Sequence, residues 1–193
     1  MQKIAIVGIG GMGTVHYNNY ARIEKAEVSA VVGPSQSDRK KAADWGVKLY
    51  TNLEELLQKE EIDLVDICTP TFLHVENALR ALEHGKNVII EKPLALHKKT
   101  AEKVFSLADK KNALVFVGQV LHFTKEVEIL KKLLRSGRYG RVLDAYFTRL
   151  TAAPDWSEGG WLFDKEKSGL LPFDLHIHDL DLIVNLFRRP ESY

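Results

Sequence analysis

The chain is poor in cysteine, in methionine and in net charge, and each shortage excludes something. One residue of 193 is a cysteine, Cys68. No disulfide can form within the chain, so a small secreted fold held by disulfides is excluded. Cys68 reads as a small buried apolar side chain in a reducing compartment. Lys and Arg total 27 against 26 for Asp and Glu, a net charge of +1. No bulk field draws such a chain to nucleic acid or to an anionic membrane. No apolar run approaches the roughly 18–20 residues of a membrane span. Residues 4–11 lack the charged head, long apolar core and cleavage site of a signal peptide. Repeats and low-complexity stretches are missing too. The expectation is a soluble cytoplasmic protein with neither a nucleic-acid nor a membrane partner. Length allows one full domain and part of a second.

What is present begins at the N-terminus. Lys3-Ile4-Ala5-Ile6-Val7 is a β-branched apolar run, the pattern of a strand buried on both faces. Gly8-Ile9-Gly10-Gly11-Met12-Gly13 follows, and a helical pattern runs from Met12 to about residue 23. This is G-x-G-x-x-G between strand and helix. The first glycine permits the turn, the second admits a pyrophosphate, and the third lets helix approach strand. Residues Gly8, Gly10, Gly11, Met12 and Gly13 are therefore candidate dinucleotide contacts, with the phosphate on a positive helix end. The second strand, 27–32, lacks the acidic residue that usually grips the ribose hydroxyls of NAD. Gly33-Pro34-Ser35 stands there instead, with Ser37, Arg39 and Lys40 beyond. Hydroxyls and cations without a carboxylate suit a 2′-phosphate, so Ser35 and Arg39 point toward NADP rather than NAD. The alternative is a loop entering a solvated basic helix.

Strand and helix then alternate. Strands are expected at 48–50, 63–68, 87–90 and 114–117, and helices at about 72–84 and 98–110. Thr51-Asn52-Leu53-Glu54 resembles a capping box. The alternation predicts an α/β fold with a doubly wound parallel sheet, 1–120 forming the dinucleotide-binding Rossmann domain. Ligands of such sheets bind beyond the carboxyl ends of the strands, where Gly8, Thr69, Lys92 and Gln119 would rim one crevice. Lys92, locked by Pro93, suits donation to a substrate oxygen or to a developing alkoxide. His74 either meets cofactor or satisfies a backbone carbonyl.

Residues 121–193 read as the start of a second, α/β substrate and oligomerisation domain. Thr124 is placed to cap a helix that Gly137 ends, and 141–150 is expected to be a strand. A single strand exposes unpaired backbone groups. It follows that either the chain is a fragment or truncated product, or this strand pairs with another chain. The loop 151–167 carries Trp156 and Trp161, as a cover for substrate or as packing anchors. Near the end, Phe173, Ile177, Leu180, Val184 and Phe187 recur at helical spacing. Asp174, His178, Asp181 and Asn185 share one stripe of that helix. A carboxylate one turn from an imidazole orients the ring and steadies its charged form. A metal reading of Asp174 and His178 fails, since His176 points elsewhere and no cysteine or third histidine lies near.

Taken together, these residues resemble the Gfo/Idh/MocA oxidoreductases, a family that includes inositol dehydrogenases and glucose–fructose oxidoreductases. The likeness rests on Gly8–Gly13, Cys68-Thr69-Pro70-Thr71 with His74, Glu91-Lys92-Pro93, Ser136-Gly137, Trp161, Ser168-Gly169 and Asp174…His178-Asp179…Asp181. The resemblance implies hydride transfer between NAD or NADP and a hydroxyl or keto carbon of a sugar, cyclitol or similar polyol. It implies a homo-oligomer once the second domain is complete. Lys92 matches the lysine that bonds the reacting hydroxyl, Asp174 the aspartate beside substrate, and His178 the acid/base. Thr69 and Pro70 would flank the nicotinamide, with His74, Glu91 and Lys92 nearby, and Gln119, His122 and Trp161 would face substrate. Departures at Leu121-His122-Phe123, at Leu170–Phe173 and at His176 bear on substrate identity. A nonenzymatic dinucleotide-binding module is the alternative reading, and redox-assisted glycoside cleavage a related one.

Overall fold

The structure is a computed structural model and describes residues 1–192. Six parallel strands form one sheet in the order β3-β2-β1-β4-β5-β6. They are β1 Gln2–Val7, β2 Ala26–Val32, β3 Lys48–Tyr50, β4 Leu64–Ile67, β5 Asn87–Ile90 and β6 Val115–Val117. The helices between them are α1 Gly11–Tyr20, α2 Gln36–Trp45, α3 Leu53–Lys59, α4 His74–Glu83 and α5 Lys98–Lys111. Strand order reverses between β1 and β4, which opens a crevice at their carboxyl ends.

Alternation in β1 explains the layering. Ile4 and Ile6 face one side, where Ile9, Val31 and Ala42 join them beneath α1 and α2. Ala5 and Val7 face the other, against Leu56, Val65, Ala78, Leu82, Val88 and Val104. Both faces are covered, so the strands read as unbroken apolar runs. Each fully buried isoleucine contributes about 1.5–3 kcal/mol. Helix α3 is capped by Asn52, whose Oδ1 accepts from Glu55 N at 2.8 Å, one residue later than the Thr51 box expected.

Beyond β6 come α6 Lys125–Ser136, α7 Lys165–Ser168, α8 Leu171–Asp174 and α9 Ile177–Phe187. Helix α6 starts after Thr124 and ends at Gly137 (φ 63°) as expected, although the Thr124 hydroxyl donates to Leu121 O instead of capping. Two expectations fail here. Residues 141–150 form no strand: among the described residues no strand pairs with them, and Leu143, Tyr146 and Leu150 are largely exposed. A β-prone run becomes a strand only when a partner satisfies its backbone. The helix expected through Phe173 and Phe187 is broken at Leu175-His176 into α8 and α9. Among the described residues no helix is long and apolar enough to cross a membrane.

Candidate active site

The glycine turn sits at the switch point. Gly8 has φ +86°, and a Cβ there would fall 2.9 Å from Thr69 N. A Cβ on Gly13 would fall 2.1 Å from Gly8 O, so α1 touches the strand exit only without one. Added Cβ atoms on Gly10 and Gly11 would meet nothing within 4 Å. The backbone at the start of α1, with Met12 half exposed, therefore stands open to a ligand, and no side chain caps it. An anion fits such a helix start.

At the end of β2, Ser35 caps α2. Its Oγ accepts from Asp38 N at 3.1 Å while Asp38 Oδ2 accepts from Ser35 N at 3.0 Å. The Asp38 carboxylate is thus tied to the helix start, and a Cβ on Gly33 would lie 2.6 Å from it. Pro34, Gln36, Arg39 and Lys40 line an open cavity of about 610 Å³ beside this cap. Lys41 Nζ donates to Ile9 O of the glycine turn at 2.8 Å.

Lys92 and Asp174, 82 residues apart, meet across the crevice. Lys92 Nζ donates to Asp174 Oδ1 at 2.8 Å and to the Asp174 carbonyl at 2.7 Å. That carbonyl is the one His178 N would use in a continuous helix; His178 N turns instead toward Leu175 O at 3.4 Å. The ammonium thus takes over the carbonyl that the missing i→i+4 bond would have used. Pro172 stands in the first turn of α8, where a missing N–H forfeits no helical bond.

His178 lies close enough for Lys92 and Arg149 to act on it. Burial, and then those two cations, hold its pKa below the ordinary histidine value, so the ring is kept neutral. Arg149 grips the adjacent Asp179 with both ends of its fork, Nη2 to Oδ1 at 2.7 Å and Nε to Oδ2 at 2.9 Å. This anchors α9 and keeps a guanidinium beside the histidine. Arg149 carried no sequence signal, because its partner is 30 residues away.

Among the described residues, three buried side-chain atoms lack a hydrogen-bond partner: Thr69 Oγ1, Gln119 Oε1 and His178 Nδ1. Each orphaned group costs about 1–3 kcal/mol. Thr69 and Gln119 are residues that the sequence placed at the crevice rim, and His178 is the acid/base that the resemblance implies. Such atoms fit a polar ligand that satisfies them, and with the open helix start they fit a dinucleotide beside a hydroxylated molecule.

Other candidates are otherwise engaged. His74 is buried, its Nδ1 and Nε2 each 2.8 Å from a main-chain oxygen, of Pro93 and of Thr69. Of its two readings, the backbone-carbonyl one describes these contacts. His122 bonds Asp181 through Nε2 and lies 3.3 Å from Lys131 Nζ through Nδ1, so neither ring nitrogen is left for substrate. Trp161 packs edge-on against Phe72, ring centroids 6.4 Å apart, on the turn after Pro70. These are the contacts of a packing anchor.

A second polar cluster lies beneath the crevice. His16 Nδ1 donates to Asp66 Oδ2 at 2.8 Å and Nε2 to Glu91 Oε1 at 3.2 Å. Tyr20 donates to the same Asp66 oxygen at 2.9 Å. Ligand atoms of His16, Asp66 and Cys68 lie within 4.8 Å of one another, the spacing of a metal site. The chemistry does not match one. Both ring nitrogens serve carboxylates, and burial pushes the Cys68 thiol up to about 12, so it stays protonated. Sequence reasoning missed this cluster; its one signal was Asp66, a lone acid in an apolar strand.

A glycine turn at the switch point of a 3-2-1-4-5-6 sheet, in a chain where a lysine meets an aspartate near a neutral histidine, is the pattern of a dinucleotide-binding protein of the oxidoreductase class. Residues 2–119 match the oxidoreductase family with an NAD-binding Rossmann fold, and residues 127–193 match the GFO/IDH/MocA C-terminal domain. The chain belongs to the Gfo/Idh/MocA oxidoreductase family.

Glucose-6-phosphate 3-dehydrogenase of Bacillus subtilis is 31% identical over 193 residues, 97% of this chain and 54% of that protein. The 2,7-anhydro-N-acetylneuraminate hydratase of Mediterraneibacter gnavus is 31% identical over 183 residues, 93% of this chain and 47% of that one. The crystal structure of an NAD-binding protein from Listeria innocua superposes with a TM-score of 0.85 at 28% identity, covering 96% of this chain and 54% of that chain. The chain spans about half the length of the curated relatives it matches.

Proposed function

We propose that this protein transfers hydride between a nicotinamide dinucleotide and a hydroxyl or keto carbon of a sugar, cyclitol or similar polyol. The observation that carries the reading is the meeting of Lys92 and Asp174 beside His178, whose Nδ1 is buried and unpartnered. A bound dinucleotide supplies the hydride acceptor or donor. The chain's residues manage the proton and the oxygen. Neutral His178 takes the hydroxyl proton in the oxidising direction and returns it in the other. Lys92 donates to the reacting oxygen and favours its alkoxide-like form. Asp174 holds the ammonium in place and steadies the imidazolium once formed. The sugar-phosphate dehydrogenase among the relatives supports a polyol substrate. Residues 1–120 serve as the dinucleotide unit and 121–193 as the start of the substrate domain.

For the cofactor, our reading is NADP. Gly33 offers no carboxylate to a ribose, Asp38 is spent on the cap, and Arg39 and Lys40 border the open cavity at that place. Fluorescence titration with NADH and NADPH, followed by a screen of polyols for hydride transfer, tests both statements. Tighter NADPH binding that Arg39→Ala weakens about tenfold supports the 2′-phosphate contact. Binding without turnover of any polyol in the full chain overturns the dehydrogenase reading in favour of a binding module.

A further inference from the structure

We propose that His16 is a positioning residue, a fixed imidazolium that ties the dinucleotide helix to the strand tips carrying Thr69 and Lys92. The inference rests on the oxidoreductase reading for its consequence in turnover, but not for its geometry. His16 lies three residues past the last glycine of the turn, on α1. Its ring reaches Asp66 of β4 through Nδ1 and Glu91, just after β5, through Nε2. Carboxylates accept and do not donate, so bonding one at each nitrogen requires a proton on both. Asp66 is fully buried and the Glu91 side chain is 8% exposed, so an uncompensated pair of negative charges there would be costly.

Glu91 passes the restraint on. Its Oε2 accepts from Lys92 N at 3.1 Å, and a Cβ on Gly118 would lie 3.1 Å from its Oε1, so the carboxylate is seated against the β6 exit. Lys92 then reaches Asp174. A chain of contacts thus runs from the phosphate-binding helix to the ammonium that meets the reacting oxygen. The titratable groups facing the ring are Tyr20 on α1, Asp66 and Cys68 from β4, and Glu91 after β5; Lys92 and, from α4, His74 flank Glu91. Hydrogen bonds to Asp66, Cys68 and Glu91 raise the His16 pKa to about 12, in keeping with a ring charged at every working pH.

The test uses the full chain, His16→Gln (charge removed) and His16→Arg (charge kept). In wild type, ring ¹⁵N shifts of His16 should show an imidazolium from about pH 5 to about pH 9.5. In H16Q the Lys92 amide should exchange with solvent at least about tenfold faster, while core amides of β1 and β4 keep their protection. With a turned-over polyol, kcat of H16Q should fall about tenfold or more and gain an acid limb as Glu91 becomes protonated, the KM for dinucleotide staying within about threefold. H16R should recover most of both losses. A His16 ring that titrates near neutrality overturns the proposal, as does Lys92 exchange that is unchanged or rises in step with the core amides. If wild type turns over no polyol, the oxidoreductase reading fails, while the ring shifts and amide exchange still decide the role of His16.

Discussion

Replacing Lys92 with Met keeps the length of the side chain and removes its charge. Two hydrogen bonds disappear, at 2.7 and 2.8 Å, and both end on Asp174. Bonds to charged groups contribute about 1.5–3 kcal/mol each when well shielded. The two side chains here are 19% and 24% exposed, so water replaces part of the loss. We expect about 2 kcal/mol less stability, a fall of roughly 4–8 °C in Tm for a chain of this size. The effect on chemistry is larger. Loss of a donor aimed at a developing oxyanion costs about 10²–10³ in kcat. Removal of the cation also lets the His178 pKa rise, moving the acid limb of the rate profile to higher pH. Asp174→Asn keeps the carbonyl bond and should lose about half as much stability. Calorimetry without cofactor and single-turnover absorbance at the reduced-nicotinamide band read the two effects separately. A K92M protein with Tm within about 1 °C and kcat within about threefold of wild type refutes the reasoning.

Gly13→Ala places a methyl 2.1 Å from Gly8 O, so α1 must shift; dinucleotide affinity should drop more than about tenfold by fluorescence titration. Arg149→Ala removes a cation that depresses the His178 pKa, and the acid limb of kcat against pH should move up toward about 6.5. Stability against pH depends on two histidines of opposite sign. His178 has a folded pKa below normal, so its stabilisation is full above about pH 6.5 and is lost as pH falls toward the folded value. His16 is raised to about 12, so its stabilisation is full below about pH 6.5 and is lost as pH rises toward 12. Urea midpoints should therefore peak near about pH 6.5 and fall on both sides. His178→Gln should lessen the fall on the acid side and leave the alkaline side unchanged. An H178Q profile that falls as steeply in acid as wild type contradicts the assignment.

The parts of the molecule written in short-range signals were legible. Apolar β-branched runs, the glycine turn and the alternation of strand with helix each depend on a few neighbouring residues. The crevice followed, because strand ends in such a sheet share one edge. Failures came where a distant partner decides. The i, i+4 spacing of Asp174 and His178 pointed to one helix, but Lys92 claims a carbonyl that the helix needed. Residues 141–150 had strand composition and no strand to join. His122 looked available until Asp181, 59 residues away, met it. His16 gave no local hint, because the Asp66 and Glu91 that explain it are 50 and 75 residues away.

The Asp38 carboxyl fills the space that any side chain at Gly33 would occupy. A descendant of this protein cannot acquire a ribose-gripping acid at position 33 in one mutational step. Asp38 must withdraw first, and the start of α2 then loses a cap worth about 1 kcal/mol. On the proposed reading, a turn toward the ribose hydroxyls would therefore cost the first turn of α2 its restraint.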